Sequence, residues 1–136
     1  MSLNLSSLLA ACVLREANFL LITAGAGFSA DSGLSTYEQA PLSYKEMCDP
    51  KKLQEDSLKF QHFWLAYTRS YLTTKPHLGY TILDHWCKGR KLSKLTRLPD
   101  NTTPWWVYTS NVDGHFRNTR LASFRESVCE IHGCAL

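Results

Sequence analysis

The sequence predicts an α/β fold built on a parallel, doubly wound open sheet, and three observations predict it. Three apolar runs, Phe19 to Thr23, Trp105 to Thr109 and Ser127 to Ile131, are too short for helices and read as strands. Segments of helical periodicity stand between them, as crossover connections between parallel strands require. Each run closes on glycine or small polar residues: Ala24-Gly25-Ala26-Gly27, Ser110-Asn111-Val112-Asp113-Gly114 and His132-Gly133. In a parallel open sheet those closures share the edge where ligands bind, so one site is expected there.

The elements follow in chain order. Leu5, Leu8, Leu9, Cys12 and Val13 recur at helical spacing, with Asn4 or Ser6 placed to cap a first helix. Phe19 to Thr23 is expected to be a buried strand entering a tight turn, with the next helix beginning near Ser29. Residues 36–60 carry Pro41, Asp49 and Pro50 among scattered apolar positions, which suggests loop and short helical pieces. From Phe60 to Leu72, the residues Phe60, Phe63, Trp64, Tyr67 and Tyr71 share one helical face, and their spacing reads as a core stripe rather than as cofactor contacts. Pro76 can open a further helix, Leu78 to Trp86, as a first-turn residue. Residues 88–104 form a polar connection in which Lys88, Arg90, Lys91, Lys94 and Arg97 read as a solvated basic loop; an acidic partner or nucleic acid is the lesser alternative, with no base-reading chemistry in the stretch. Cys129 falls within the third strand and is expected to be buried.

At 136 residues, 44% hydrophobic and 20% charged, the chain has globular composition and a length suited to one domain with one core. A net charge of +3 is mild, and nothing in the pattern indicates nucleic acid. The five cysteines, Cys12, Cys48, Cys87, Cys129 and Cys134, form no C-x-x-C pair, so no metal ligand is assigned and a reducing milieu suits them. The apolar patch from Leu8 to Val13 is too short to span a bilayer and runs into Arg15 and Glu16, unlike a signal peptide. The expected location is therefore intracellular, cytoplasmic or nuclear, with no membrane contact. The sequon Asn101-Thr102-Thr103 would go unread there. His62, His77 and His85 lack ligand-like spacing and receive no role.

The first closure, Gly25-Ala26-Gly27-Phe28-Ser29-Ala30, fits the G-x-G-x-x-G/A pattern of dinucleotide-binding turns. In that reading Gly25 permits the tight turn, Gly27 the close approach of a pyrophosphate and Ala30 close helix packing, with helix-start N–H groups facing the anion. A plain structural turn remains the alternative. A dehydrogenase reading lacks a strand bearing an acid roughly 20 residues further on.

Three motifs in order are more specific. Ala24 to Tyr37, AGAGFSADSGLSTY, resembles the sirtuin signature; Tyr108 to Phe116, YTSNVDGHF, resembles that family's Thr-Gln-Asn-(Ile/Val)-Asp-Gly loop; and Glu130-Ile131-His132-Gly133 resembles its Glu-x-His-Gly element. The resemblance implies an NAD-dependent protein-lysine deacetylase or deacylase with a Rossmann-like sheet, acting on an acyl-lysine protein or peptide. It implies cofactor contacts from Ala24, Gly25, Ala26, Gly27 and Ser29 in the first loop and from Ser110, Asn111 and Asp113 in the second. Asn111 and Asp113 would lie at the nicotinamide ribose and carboxamide, Tyr37 would shield the reacting ribose, and His132 would be the catalytic base. Histidine suits that task because its side chain titrates close to working pH. Taken singly, Asn111 and Asp113 could cap a turn and His132-Gly133 could be a strand exit.

The chain departs from the family pattern at Ser35, where proline is usual, at Glu38, where arginine is usual, and at Ser110, where glutamine is usual. A carboxylate at Glu38 is expected to oppose NAD phosphates. The whole of 1–136 is expected to form the NAD-binding half of the domain, with a sheet incomplete on its C-terminal side. The family's zinc module is expected to be missing, since Cys134 has no partner for a metal. Two rival readings share the motifs: an NAD hydrolase or ADP-ribosyltransferase on the same site, and a non-catalytic NAD- or partner-binding remnant.

Overall fold

The computed structural model describes residues 4–88, 103–118 and 121–136. Most of the basic connection and two residues of the sequon lie outside these described residues. Six helices and three strands follow in chain order among them: α1 Leu5–Glu16, β1 Leu20–Ala24, α2 Ala26–Ala30, α3 Leu42–Met47, α4 Lys51–Glu55, α5 Ser57–Thr73, α6 Leu78–Lys88, β2 Trp105–Thr109 and β3 Val128–Glu130. The strands form an open parallel sheet in the order β1-β2-β3, so the predicted α/β class and Rossmann-like sheet stand. Between β2 and β3 the described chain makes only single 3-10 turns, His115–Arg117 and Ala122–Phe124.

The contacts gather into two compact units. The first comprises Met1–Thr23, Leu78–Tyr108 and Phe116–Cys129. Its sheet is held by bonds such as Leu20 N–H to Pro104 O (2.9 Å) and Val107 N–H to Ser127 O (2.7 Å). Tyr80, Val107, Phe116 and Phe124 are its largest fully buried side chains. The Phe116 ring meets Tyr80 at 4.8 Å and Phe124 at 5.6 Å between centroids, distances at which aromatic rings attract beyond their area burial. Asp84, buried on α6, accepts from Lys88 Nζ (2.6 Å) and from Ser123 N–H (3.1 Å), so its charge is paired rather than stranded. Asn4 caps α1 by accepting from Ser7 N–H at 2.8 Å, but α1 buries none of its residues.

Three sequence expectations are corrected here. The first strand is covered on one face only: Leu20 and Ile22 are buried while Leu21 is exposed. Cys129 is half-buried. Pro76 lies two residues ahead of α6 rather than in its first turn.

The second unit comprises Ala24–His77, Thr109–His115 and Glu130–Leu136, and so holds the last residue of every strand with the segment that follows it. Helix α2 begins at Ala26, three residues before the expected start near Ser29, because Gly25 and not Ser29 is the N-cap. Gly25 has φ −123°, an extended conformation open to any residue, so the turn does not require glycine there. Gly33, at φ +91°, does need it: the chain leaves α2 there, with Gly33 N–H donating to Ala30 O at 2.8 Å. Helix α5 is capped by Asp56, which accepts from Lys59 N–H at 3.0 Å. Its aromatic side packs against Tyr44 of α3, with ring centroids 5.6 Å away at Trp64 and 4.8 Å at Tyr67. Trp64 Nε1 donates to Met47 O (3.1 Å), and Thr68 Oγ1 donates to Ala135 O (2.8 Å), which ties α5 to the segment after β3.

Candidate functional site

The last residues of β1 and β2 are joined by their own backbones and one side chain. Ala24 O accepts from Ser110 N–H (3.2 Å) and from Thr109 Oγ1 (3.0 Å), and Thr109 O accepts from Ile131 N–H (3.0 Å). The loops that leave these strands are therefore fixed at their roots.

Above the roots sits a buried hydrogen-bonded cluster. Asn111 Nδ2 donates to Gly25 O (3.0 Å) and to Ser29 Oγ (2.9 Å), so both amide hydrogens are committed and its carbonyl oxygen is left as an acceptor. The Ser29 hydroxyl donates to Asp113 Oδ2 at 2.5 Å, and Asp113 Oδ1 accepts from His115 N–H at 2.9 Å. Ser29, Asn111, Asp113 and His115 are all buried. The two strand-end loops, 84 residues apart at the Ser29–Asp113 bond, are locked together through side chains rather than through turn geometry alone. Asn111 does keep one local bond, from its own N–H to Thr109 Oγ1 (3.1 Å), so the turn-capping reading describes part of its environment.

This cluster forms one side of a cavity of about 750 Å³, within the range of cofactor and small-ligand sites. From the first loop, Ala26, Ser29 and Tyr37 line it; from the second, Ser110, Asn111 and Asp113; and from the third, His132. Ala24, Gly25 and Gly27 do not line it. The carbonyls of the first two support the cluster, and Gly27 is exposed with open space where a side chain would go. Ser35 lines the cavity, whereas Glu38 is exposed and outside the lining, where solvent screens its charge.

Part of the aromatic stripe expected to be core also lines the cavity, while Phe60 and Phe63 do not. Tyr71 is buried and Trp64 and Tyr67 are half-buried, and all three line the cavity with Tyr44 and Ser70. The stripe was visible in the sequence, but periodicity alone cannot tell a face buried in a core from one facing a cavity. Burial pushes the Tyr71 phenol up, and its hydrogen bond to Tyr44 and the nearby charge of Asp113 add to that; burial likewise raises Tyr67. Both phenols stay neutral at physiological pH. Among the described residues no group of three or more His, Cys, Asp or Glu side chains is placed to hold a metal ion. No described helix is long and apolar enough to cross a membrane.

Comparison with known proteins follows the same outline. No family profile matches the chain. It is 33% identical to the NAD-dependent protein deacylase 2 of Pseudomonas syringae pv. tomato over 134 residues, covering 91% of this chain and 48% of that protein. It is 31% identical to the NAD-dependent protein deacetylase of Oceanobacillus iheyensis over 126 residues, covering 88% of this chain and 47% of that protein. A solved structure from work on the structural basis of sirtuin substrate affinity superimposes with a TM-score of 0.69 at 22% identity, covering 98% of this chain and 49% of that one, which supports the fold. The chain spans about half the length of the curated relatives it matches. With the three motifs in order and the relatives agreeing along nearly all of it, the chain belongs to the sirtuin family.

Proposed function

We propose that this chain is the NAD-binding half of an NAD-dependent protein-lysine deacylase, and that its cavity takes the nicotinamide-ribose end of the cofactor. The observation that carries the reading is the Ser29–Asn111–Asp113 cluster on a cavity that His132 also lines. The acceptor set fits that end of NAD, since ribose hydroxyls and a carboxamide N–H need acceptors such as the Asp113 carboxylate and the free carbonyl oxygen of Asn111. When bound, NAD would supply a ribose carbon carrying nicotinamide as the leaving group for the acyl oxygen of a modified lysine.

The chain's own residues do the rest. Asn111 and Asp113 orient the cofactor, and their rotamers are held by Ser29 so that little freedom is lost on binding. Tyr37 covers the reacting centre and keeps water from it. His132, exposed on the segment after β3, accepts a ribose hydroxyl proton at an imidazole nitrogen after nicotinamide departs. For location the reading is intracellular, cytoplasmic or nuclear, in keeping with five free thiols.

The test is nicotinamide release and peptide deacylation measured in parallel on the intact gene product, with thermal unfolding as a control. His132→Ala is expected to keep NAD binding while losing product formation by about 10² to 10⁴. Asn111→Ala and Asp113→Asn are expected to slow nicotinamide release itself. Full deacylation by a folded His132→Ala protein would sink the proposed role. Nicotinamide release that needs no acyl-lysine peptide would transfer the assignment to an NAD hydrolase.

A further inference from the structure

We propose that Lys45 is a positioning residue for the cover of the cavity, its ammonium holding the Tyr37 ring in place through a cation–ring contact; this rests on the NAD-binding reading above. Tyr37 lines the cavity yet is 54% exposed, so burial by itself does not fix where its ring lies. Its backbone is set by a turn in which Thr36 and Gln39 exchange bonds. Gln39 N–H donates to Thr36 Oγ1 at 3.3 Å, and Thr36 N–H donates to Gln39 Oε1 at 3.4 Å. Both bonds are long, and neither involves the ring.

Two side chains of α3 do reach the ring. Tyr44 meets it edge-on, with centroids 6.2 Å apart and planes at 72°, and Lys45 Nζ lies over it at 5.5 Å from the centroid. At that distance the ring quadrupole attracts a cation. The helix that carries them is itself pinned to α5, where Trp64 Nε1 donates to Met47 O at 3.1 Å and Tyr67 packs on Tyr44 at 4.8 Å between centroids. Lys45 is half-buried, and among the described residues the ion pairs are Lys52–Glu55 and Lys88–Asp84, so the ring and not a carboxylate is its partner. Lys45 does not line the cavity, so it acts on a bound cofactor through the ring. Such a contact at an exposed site is equivalent to about two- to fivefold in the population of the covering rotamer. Affinity for what lies beneath the cover falls with that population, and water reaches the reacting centre in the remainder.

The experiment uses the intact gene product with Lys45→Met, which removes the charge but keeps an unbranched side chain, and Lys45→Arg, which keeps the charge. NAD binding is read by equilibrium titration, and nicotinamide release is read with and without acyl-lysine peptide. Lys45→Met is expected to weaken NAD binding by about two- to fivefold and to raise the peptide-independent share of release by a similar factor. Lys45→Arg is expected to restore both. In a Tyr37→Leu background Lys45→Met is expected to change neither, because the group through which the lysine acts is gone. In NAD-free protein carrying isotope-labelled lysine, the Lys45 ε-methylene signal is expected to lose its ring-current shift in Tyr37→Leu.

An equal effect of Lys45→Met with and without the Tyr37 ring overturns the proposal, since the lysine would then act directly on the cofactor or on the fold. So does unchanged NAD affinity in a Lys45→Met protein that thermal unfolding shows to be folded, or a Lys45 signal indifferent to Tyr37→Leu. The ring-current shift and the expected change in NAD binding, with no nicotinamide release from any acyl peptide, support the role of Lys45 while removing the deacylase reading, so the two fail separately.

Discussion

Ser29 is a small residue with a large share of the site's geometry, since its hydroxyl both accepts from Asn111 and donates to Asp113. That commitment also explains why it is not the helix cap that its type suggests: the hydroxyl is used by a residue far along the chain, and Gly25 takes the cap position. In the other unit, Asp84 supports a pH prediction. Burial by itself would raise its pKa, but the hydrogen bonds from Lys88 and from Ser123 outweigh it and hold the carboxyl below the usual carboxylate range. A lowered folded-state pKa adds stability above the ordinary carboxylate value, and that stability is lost as pH falls through the folded value. Asp84→Asn is therefore expected to cost about 1–3 kcal/mol at pH 7, the range for a buried acceptor bonded to a charged group, and progressively less below about pH 4. Thermal unfolding across that range reads it, and a cost independent of pH would refute it.

Elements carry this information unevenly. Helix α5 carries the aromatic residues that line the cavity, and at its start Asp56 accepts from Lys59 N–H. Asp56→Ala is expected to destabilise the chain by about 1 kcal/mol, the usual value of such a cap, with Asp56→Asn restoring most of it. Equal melting temperatures for Asp56→Ala and the unaltered chain would contradict this. The strands, α1 and α5 were legible in the sequence because apolar period and caps are local signals. The start of α2 and the place of Pro76 were not, because the chain there answers to distant partners: Ser29 bonds Asp113, and Ser32 Oγ accepts from His77 N–H at 3.0 Å just beyond Pro76. That Asn111, Asp113 and His132 meet at one place was legible, because each follows the end of a strand in the sequence and all three line the cavity. The aromatic side of the cavity was not, since a stripe of rings looks the same whether it faces a core or a space.

At the scale of the whole molecule, apolar surface is the property with the clearest consequence. On α1, Leu5, Leu9 and Val13 stand at successive four-residue steps and are 72%, 59% and 71% exposed. Phe19 and Leu21, at β1, are exposed as well. A stripe of this kind on a helix, close in sequence to a half-covered strand, favours association with any matching surface, including another copy of the chain. The 136-residue chain by itself is therefore expected to self-associate as its concentration rises. Replacing Leu5, Leu9 and Val13 together by Gln should reduce this, because the substitutions remove apolar area. They should cost little stability, because exposed side chains away from special features contribute within about ±0.5 kcal/mol each. Sedimentation velocity over a range of concentrations, with thermal unfolding alongside, separates the two effects. A monodisperse monomer at every concentration in the unaltered chain would refute the prediction. Association undiminished in the triple variant would move the sticky surface from α1 to Phe19 and Leu21, whose replacement by Thr would then be the variant to measure.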